Sequence, residues 1–123
     1  MLADRLHAFG MNIVAYDKFP IKGYDYISQK YCADAGDTIQ PLLEQSDFVV
    51  LTLALTDETY HMINKDTLAQ MKDGAFLVNM ARGGIVCTED LIEALKSGKL
   101  SGAGLDVFEE QPLSPESPLW KME

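Results

Sequence analysis

Four short apolar runs, residues 11–16, 48–53, 75–80 and 100–107, constrain this chain most strongly. Each is too short for a buried helix and long enough for a buried strand. Helical patterns separate them. Leu2, Leu6 and Phe9 recur at helical spacing, and Gly10 is placed as a stop. Residues 18–36, with Pro20, Gly23 and Gly36, read mostly as loop. Asp37 or Thr38 is expected to cap a helix running to Gln45, with Pro41 in its first turn. Asn64 caps a helix to Met71. Thr88 caps another, with Glu89 and Asp90 in its first turn, Leu91, Ile92 and Leu95 on its buried face, and Gly98 at its end. The segment after Glu109 carries Pro112, Pro115 and Pro118 and reads as loop.

Strand–helix alternation with continuous apolar strands predicts an α/β fold, a parallel sheet covered on both faces. Ligands of such sheets sit beyond the C-terminal ends of the strands. Asp17, Thr52, Arg82 and Asp106 fall at or just past those ends. Each alone is an ordinary turn or cap residue, but four together point to a site. Arg82 is the most informative. In Val78-Asn79-Met80-Ala81-Arg82-Gly83-Gly84 an apolar run ends in one cation and two glycines. The planar guanidinium can hold a carboxylate through two parallel hydrogen bonds, and glycine lets backbone or ligand come close.

The 123 residues suffice for one domain, and 47% apolar with 24% charged residues describes an ordinary globular composition. No apolar run reaches the ~18 residues of a membrane span. The net charge of −9 argues against a nucleic-acid backbone as partner. Cys32 and Cys87 match no metal-ligand spacing, so no metal site is expected, and a reducing, cytoplasmic setting fits them.

Three stretches carry a resemblance: Leu77-Val78-Asn79-Met80-Ala81-Arg82-Gly83-Gly84-Ile85-Val86, then Gly102-Ala103-Gly104-Leu105-Asp106-Val107-Phe108-Glu109-Glu110-Gln111-Pro112, and the residues from Ser46-Asp47-Phe48 through Leu55-Thr56-Asp57-Glu58-Thr59. The chain resembles, over nearly its whole length, the nucleotide-binding domain of the D-isomer-specific 2-hydroxyacid dehydrogenases. The resemblance implies a Rossmann-like, doubly wound parallel sheet and NAD as cofactor. It implies that Asp17 accepts hydrogen bonds from the adenosine ribose, an acid there disfavouring a 2′-phosphate. Thr52 and Ala54 match the adenine pocket, although a Pro is usual at position 54. Met80 and Ala81 match backbone positions near the nicotinamide ribose, and Asp106 the residue holding the nicotinamide amide. Arg82 matches the arginine that grips the substrate carboxylate.

The chain also departs from the family. The Gly-x-Gly-x-x-Gly phosphate loop and the first strand are not found, so the expected sheet is incomplete and lacks a central member. His7 and His61 are the only histidines, and neither matches the catalytic slot. Gln111 occupies the slot of the family's catalytic glutamate, and an amide does not titrate near neutral pH. Cys87 stands where an Asp cap is usual.

The resulting expectation is a partial NAD-binding domain over residues 1–108 with a Pro-rich tail at 109–123. It would be part of an NAD-dependent oxidoreductase that interconverts 2-keto acids and D-2-hydroxy acids, and inactive alone. The parent is expected to be a homodimer acting on a small acid, away from membranes. A sheet without an inner strand also invites self-association of the isolated chain. The alternative is a non-catalytic, NAD(H)-sensing module like the corepressors that share the fold.

Overall fold

The computed structural model describes residues 1–122. The chain divides into two compact units, Met1–Leu42 and the residues from Leu43 onward. In the first, α1 (Leu2–Ala8) is followed by β1 (Ile13–Asp17) and β2 (Ile27–Cys32), which pair in parallel. Gly10 ends α1 as its pattern predicts. It has φ +80°, its N–H donates to the His7 carbonyl at 2.8 Å, and the Met11 N–H donates to Leu6 at 3.1 Å. These are the two bonds of a Schellman motif, and the positive φ is why glycine stands there. The apolar stripe of α1 is not buried, however, and Phe9 is 86% exposed.

β2 corrects the loop expected over residues 18–36. Only its two ends, Ile27 and Cys32, are buried, while Ser28, Gln29 and Lys30 between them are exposed. No apolar run marks such a strand, and pairing with β1 creates it. Asp37 does not cap a helix. Its carboxylate accepts from the Cys32 N–H at 2.8 Å, and α2 starts at Gln40 and runs to Gln45, with Pro41 second in it.

The second unit contains β3 (Phe48–Leu51), α3 (Lys65–Gln70), β4 (Ala75–Asn79), α4 (Thr88–Lys96) and β5 (Leu100–Leu105). Its parallel sheet has the order β3-β4-β5. Each of the two sheets is a contiguous portion of the doubly wound order 3-2-1-4-5-6, so the α/β, Rossmann-like expectation holds. Asn64 caps α3 as predicted. Its side chain accepts from the N–H groups of Asp66 and Thr67, and the Thr67 hydroxyl accepts from the Asn64 N–H.

Burial alternates along the strands rather than running continuously. Val49, Leu51, Ala75, Leu77, Asn79 and Leu100 are buried. Their neighbours Phe48 and Phe76 are paired in register, stacked at 5.1 Å between centroids, and 50% and 39% exposed. The sheet is therefore not covered equally on its two faces. The core joins its buried face to Leu43, Ile63, Leu68, Ile85 and Leu91. α4 packs against α3 and β5. Leu77, fully buried on the middle strand, is the keystone of this packing. Replacing it as Leu77→Ala removes apolar area and leaves a cavity, at a cost of about 3 kcal/mol. Urea unfolding should show a lower midpoint with an unchanged slope.

Candidate functional site

Parallel strands deliver their C-terminal ends to one edge of a sheet. Thr52 directly follows β3, Arg82 lies three residues past the end of β4, and Asp106 directly follows β5. In the first unit, Asp17 is the last residue of β1. It is exposed, and one carboxylate oxygen accepts from the Phe19 N–H at 3.1 Å.

The turn carrying Arg82 is held from inside. Asn79, 1% exposed, accepts from the Ala81 N–H at 3.1 Å and donates to the Arg82 carbonyl at 3.0 Å. Its own carbonyl accepts from the Asp106 N–H at 3.0 Å. Arg82 has extended backbone and an exposed side chain. Among the described residues the guanidinium's hydrogen-bond partner is the Ala81 carbonyl, at 2.7 Å from Nη1. With one of five N–H groups so engaged, the fork retains donors for an anion. Close approach requires the first of the glycines that follow and leaves little room at the second. A Cβ on Gly83 would overlap the Phe108 carbonyl, and one on Gly84 would meet Leu55 at 3.1 Å.

Thr52, Leu53, Ala54, Leu55, Met80, Ala81 and Arg82 line one open cleft of about 660 Å³. Five of the residues singled out in the sequence therefore share a wall: Thr52, Ala54, Met80, Ala81 and Arg82. The Thr59 hydroxyl fixes the far side, accepting from the Thr56 N–H at 2.8 Å and donating to the Ala54 carbonyl at 2.7 Å. Met80 and Leu55 are 62% and 43% exposed, so apolar surface flanks the guanidinium. Such a cleft suits a flat, amphipathic ligand beside a small carboxylate. Gln111 is exposed, precedes a cis peptide to Pro112, and is not among the lining residues.

One polar pair was missed by sequence reasoning. His61 Nε2 hydrogen-bonds Glu109, and the His61 ring stacks on Tyr60 at 4.0 Å between centroids. The other Glu109 oxygen accepts from the Thr88 N–H at 2.7 Å. This corrects the expected cap of α4. Thr88 is the first residue of the helix, Cys87 stands at the cap without a side-chain bond, and a carboxylate 21 residues further on serves the free N–H. Burial raises the affinity of Glu109 for a proton. The bonds from Thr88 and His61 outweigh it, and the carboxyl lies below its ordinary range. Burial pushes the Cys87 thiol up, with Asp90 and Glu109 adding to the rise against a backbone bond. It is therefore no activated thiolate. The pairing of residues 48 positions apart left no local signal. Asn79 did leave one, as a polar residue closing an apolar strand.

Comparison with known proteins identifies the family and the fold. The sequence profile described as "D-isomer specific 2-hydroxyacid dehydrogenase, NAD binding domain" matches residues 1–123. A glyoxylate reductase of Korarchaeum cryptofilum is 46% identical over 122 residues, covering 99% of this chain and 36% of that protein. A D-isomer specific 2-hydroxyacid dehydrogenase of Xanthobacter autotrophicus, solved with NADPH and MES, superposes with TM-score 0.89 at 38% identity. The match covers 98% of this chain and 37% of that one. The D-lactate dehydrogenase of Aquifex aeolicus, solved with NAD and lactic acid, gives TM-score 0.76 at 40% identity over 89% and 31% of the two chains. The chain thus spans about a third of the length of the relatives it matches.

Two substitutions test the architecture of the site. Gly83→Ala forces the segment at Phe108 away from the turn and should destabilise by about 1–3 kcal/mol in urea unfolding. Glu109 has a depressed native pKa. Its contribution is therefore complete above the unfolded value near 4.5 and is lost as pH falls through the lower native one. Glu109→Gln should be less stable at pH 7 and lose less stability on acidification to pH 3. Parallel stability–pH curves for the two proteins would contradict the assigned bonds.

Proposed function

Because the chain belongs to the family of NAD-binding domains of D-isomer specific 2-hydroxyacid dehydrogenases, we propose that it serves an NAD-dependent oxidoreductase acting on the CH–OH group of small D-2-hydroxy acids. The observation that carries the reading is the Arg82 guanidinium, set on a pinned turn at the mouth of a cleft lined by Thr52, Ala54, Met80 and Ala81. The volume of about 660 Å³ is within the usual range for a cofactor or substrate site. Asp17 would accept hydrogen bonds from the ribose hydroxyls, and its negative charge favours NAD over a 2′-phosphorylated cofactor. Thr52 and Ala54 would border the adenine side, Met80 and Ala81 the nicotinamide ribose. Asp106 would accept from the carboxamide. When bound, the nicotinamide supplies or takes the hydride.

The chain's own contribution to catalysis is orientation. Arg82 binds the carboxylate of the 2-keto or 2-hydroxy acid through two N–H groups, fixing the adjacent carbon, and its charge stabilises negative charge on the neighbouring oxygen. Proton transfer is not assigned to a group of this chain. Gln111 stands in the family's glutamate slot, and an amide does not titrate near neutral pH. This favours, as a second reading, an NAD(H)-sensing module that binds without turning over.

Steady-state oxidation of NADH at 340 nm with glyoxylate, hydroxypyruvate and pyruvate should show no turnover by the 123-residue chain. Turnover above buffer would refute the assignment of an orienting role alone. Oxamate, a carboxylate-bearing keto-acid mimic, should perturb the Arg82 Nε–H resonance on titration. Arg82→Lys should weaken that binding at least about tenfold, since an ammonium cannot reproduce the bidentate fork. Equal affinity in the two proteins would remove Arg82 from the carboxylate site. In a longer protein carrying this domain, turnover that appears only with Gln111→Glu, at unchanged NADH affinity, would favour the sensor.

A further inference from the structure

Asn79 is the one buried polar side chain among the described residues of the core. An amide placed there without partners would be destabilising, because its lost hydrogen bonds to water would go unreplaced. Both of its ends are instead used within three residues of chain, the oxygen on the Ala81 N–H and the nitrogen on the Arg82 carbonyl. Its backbone carbonyl also receives the Asp106 N–H. One residue therefore holds the turn that presents Arg82 and anchors the residue that follows β5.

From this set of contacts we infer that Asn79 is a positioning residue, setting Arg82 and Asp106 in a common frame for the carboxylate and the nicotinamide. The inference rests on the reading of Arg82 as the carboxylate ligand. It acts through backbone and touches no ligand itself. The chemistry requires an amide. The group must accept from an N–H and donate to a carbonyl at the same time, in the space of one planar terminus. Leucine fills the volume and leaves the Ala81 N–H and the Arg82 carbonyl without it. Ionised aspartate keeps the acceptor but turns a second lone pair toward the Arg82 carbonyl. Protonated aspartate restores the donor.

That last property makes the role testable in the 123-residue chain. Amide hydrogen exchange followed by NMR should show Ala81 exchanging at least about tenfold faster in Asn79→Ala, while the Leu77 amide is unchanged. Oxamate should bind Asn79→Asp about tenfold more weakly than wild type at pH 8. The affinity should recover toward wild type as pH is lowered and the carboxyl takes up its proton, because burial favours the neutral acid, which donates again, against the Ala81 N–H and the Arg82 charge that favour the ionised form. Wild type should be flat over the same interval. A merely structural role predicts a lowered stability with no such recovery of affinity. Unchanged Ala81 exchange in Asn79→Ala, or pH-independent oxamate affinity in a folded Asn79→Asp, overturns the inference. If Asn79→Asp does not fold, the exchange measurement on Asn79→Ala decides. Oxamate binding that is absent in wild type, or indifferent to Arg82→Lys, sinks the carboxylate reading instead, and the exchange data then judge the clamp by itself.

Discussion

β4 is hydrogen-bonded along both sides, to β3 and to β5, and this double pairing is the constraint from which the larger unit follows. A middle strand has no free edge, so its backbone groups are satisfied by neighbours and its side chains alone decide which face is inside. Ala75, Leu77 and Asn79 face the core, and Phe76 and Val78 alternate with them. Because all three strands run the same way, whatever follows each one arrives at the same edge. The geometry of the cleft is a consequence of strand direction before it is a consequence of any particular side chain.

What marks that edge as the candidate site is the contrast between a pinned backbone and an exposed charge. The amide of Asn79 is shielded from water, and its two hydrogen bonds hold the backbone beneath an arginine whose own side chain is exposed. Gly83 allows the segment after β5 to lie directly on the same turn. Thr59 does for the loop after β3 what Asn79 does for the loop after β4, through a single hydroxyl that both accepts and donates. A turn fixed in advance reduces the ordering a ligand must impose.

The His61–Glu109 pair belongs to a different kind of interaction. It ties the loop before α3 to the chain beyond β5, and through the Thr88 N–H to the start of α4. Cys87 at the cap position makes no side-chain capping hydrogen bond, and a carboxylate distant in sequence takes the Thr88 N–H. No helix among the described residues is long and apolar enough to cross a membrane.

Local chemistry settled much of this in advance. Apolar runs marked β1, β3, β4 and β5, Gly10 and Asn64 marked helix ends, and Arg82 beside two glycines marked the candidate site. In each case the signal and its cause lie within a few residues of one another. β2 escaped because its middle is polar and its strand form comes from pairing with β1. Asp37, one of the two residues offered as a cap for α2, instead takes the Cys32 N–H, and at the start of α4 a distant carboxylate takes the Thr88 N–H, choices that only the folded chain makes. The partners of Asn79 and His61, and the unequal cover of the sheet's two faces, likewise required the tertiary structure. Sequence determined which residues could bind an acid at a strand end. Tertiary structure decided which of them share a wall, because hydrogen bonds between distant segments depend on distances that no local pattern encodes.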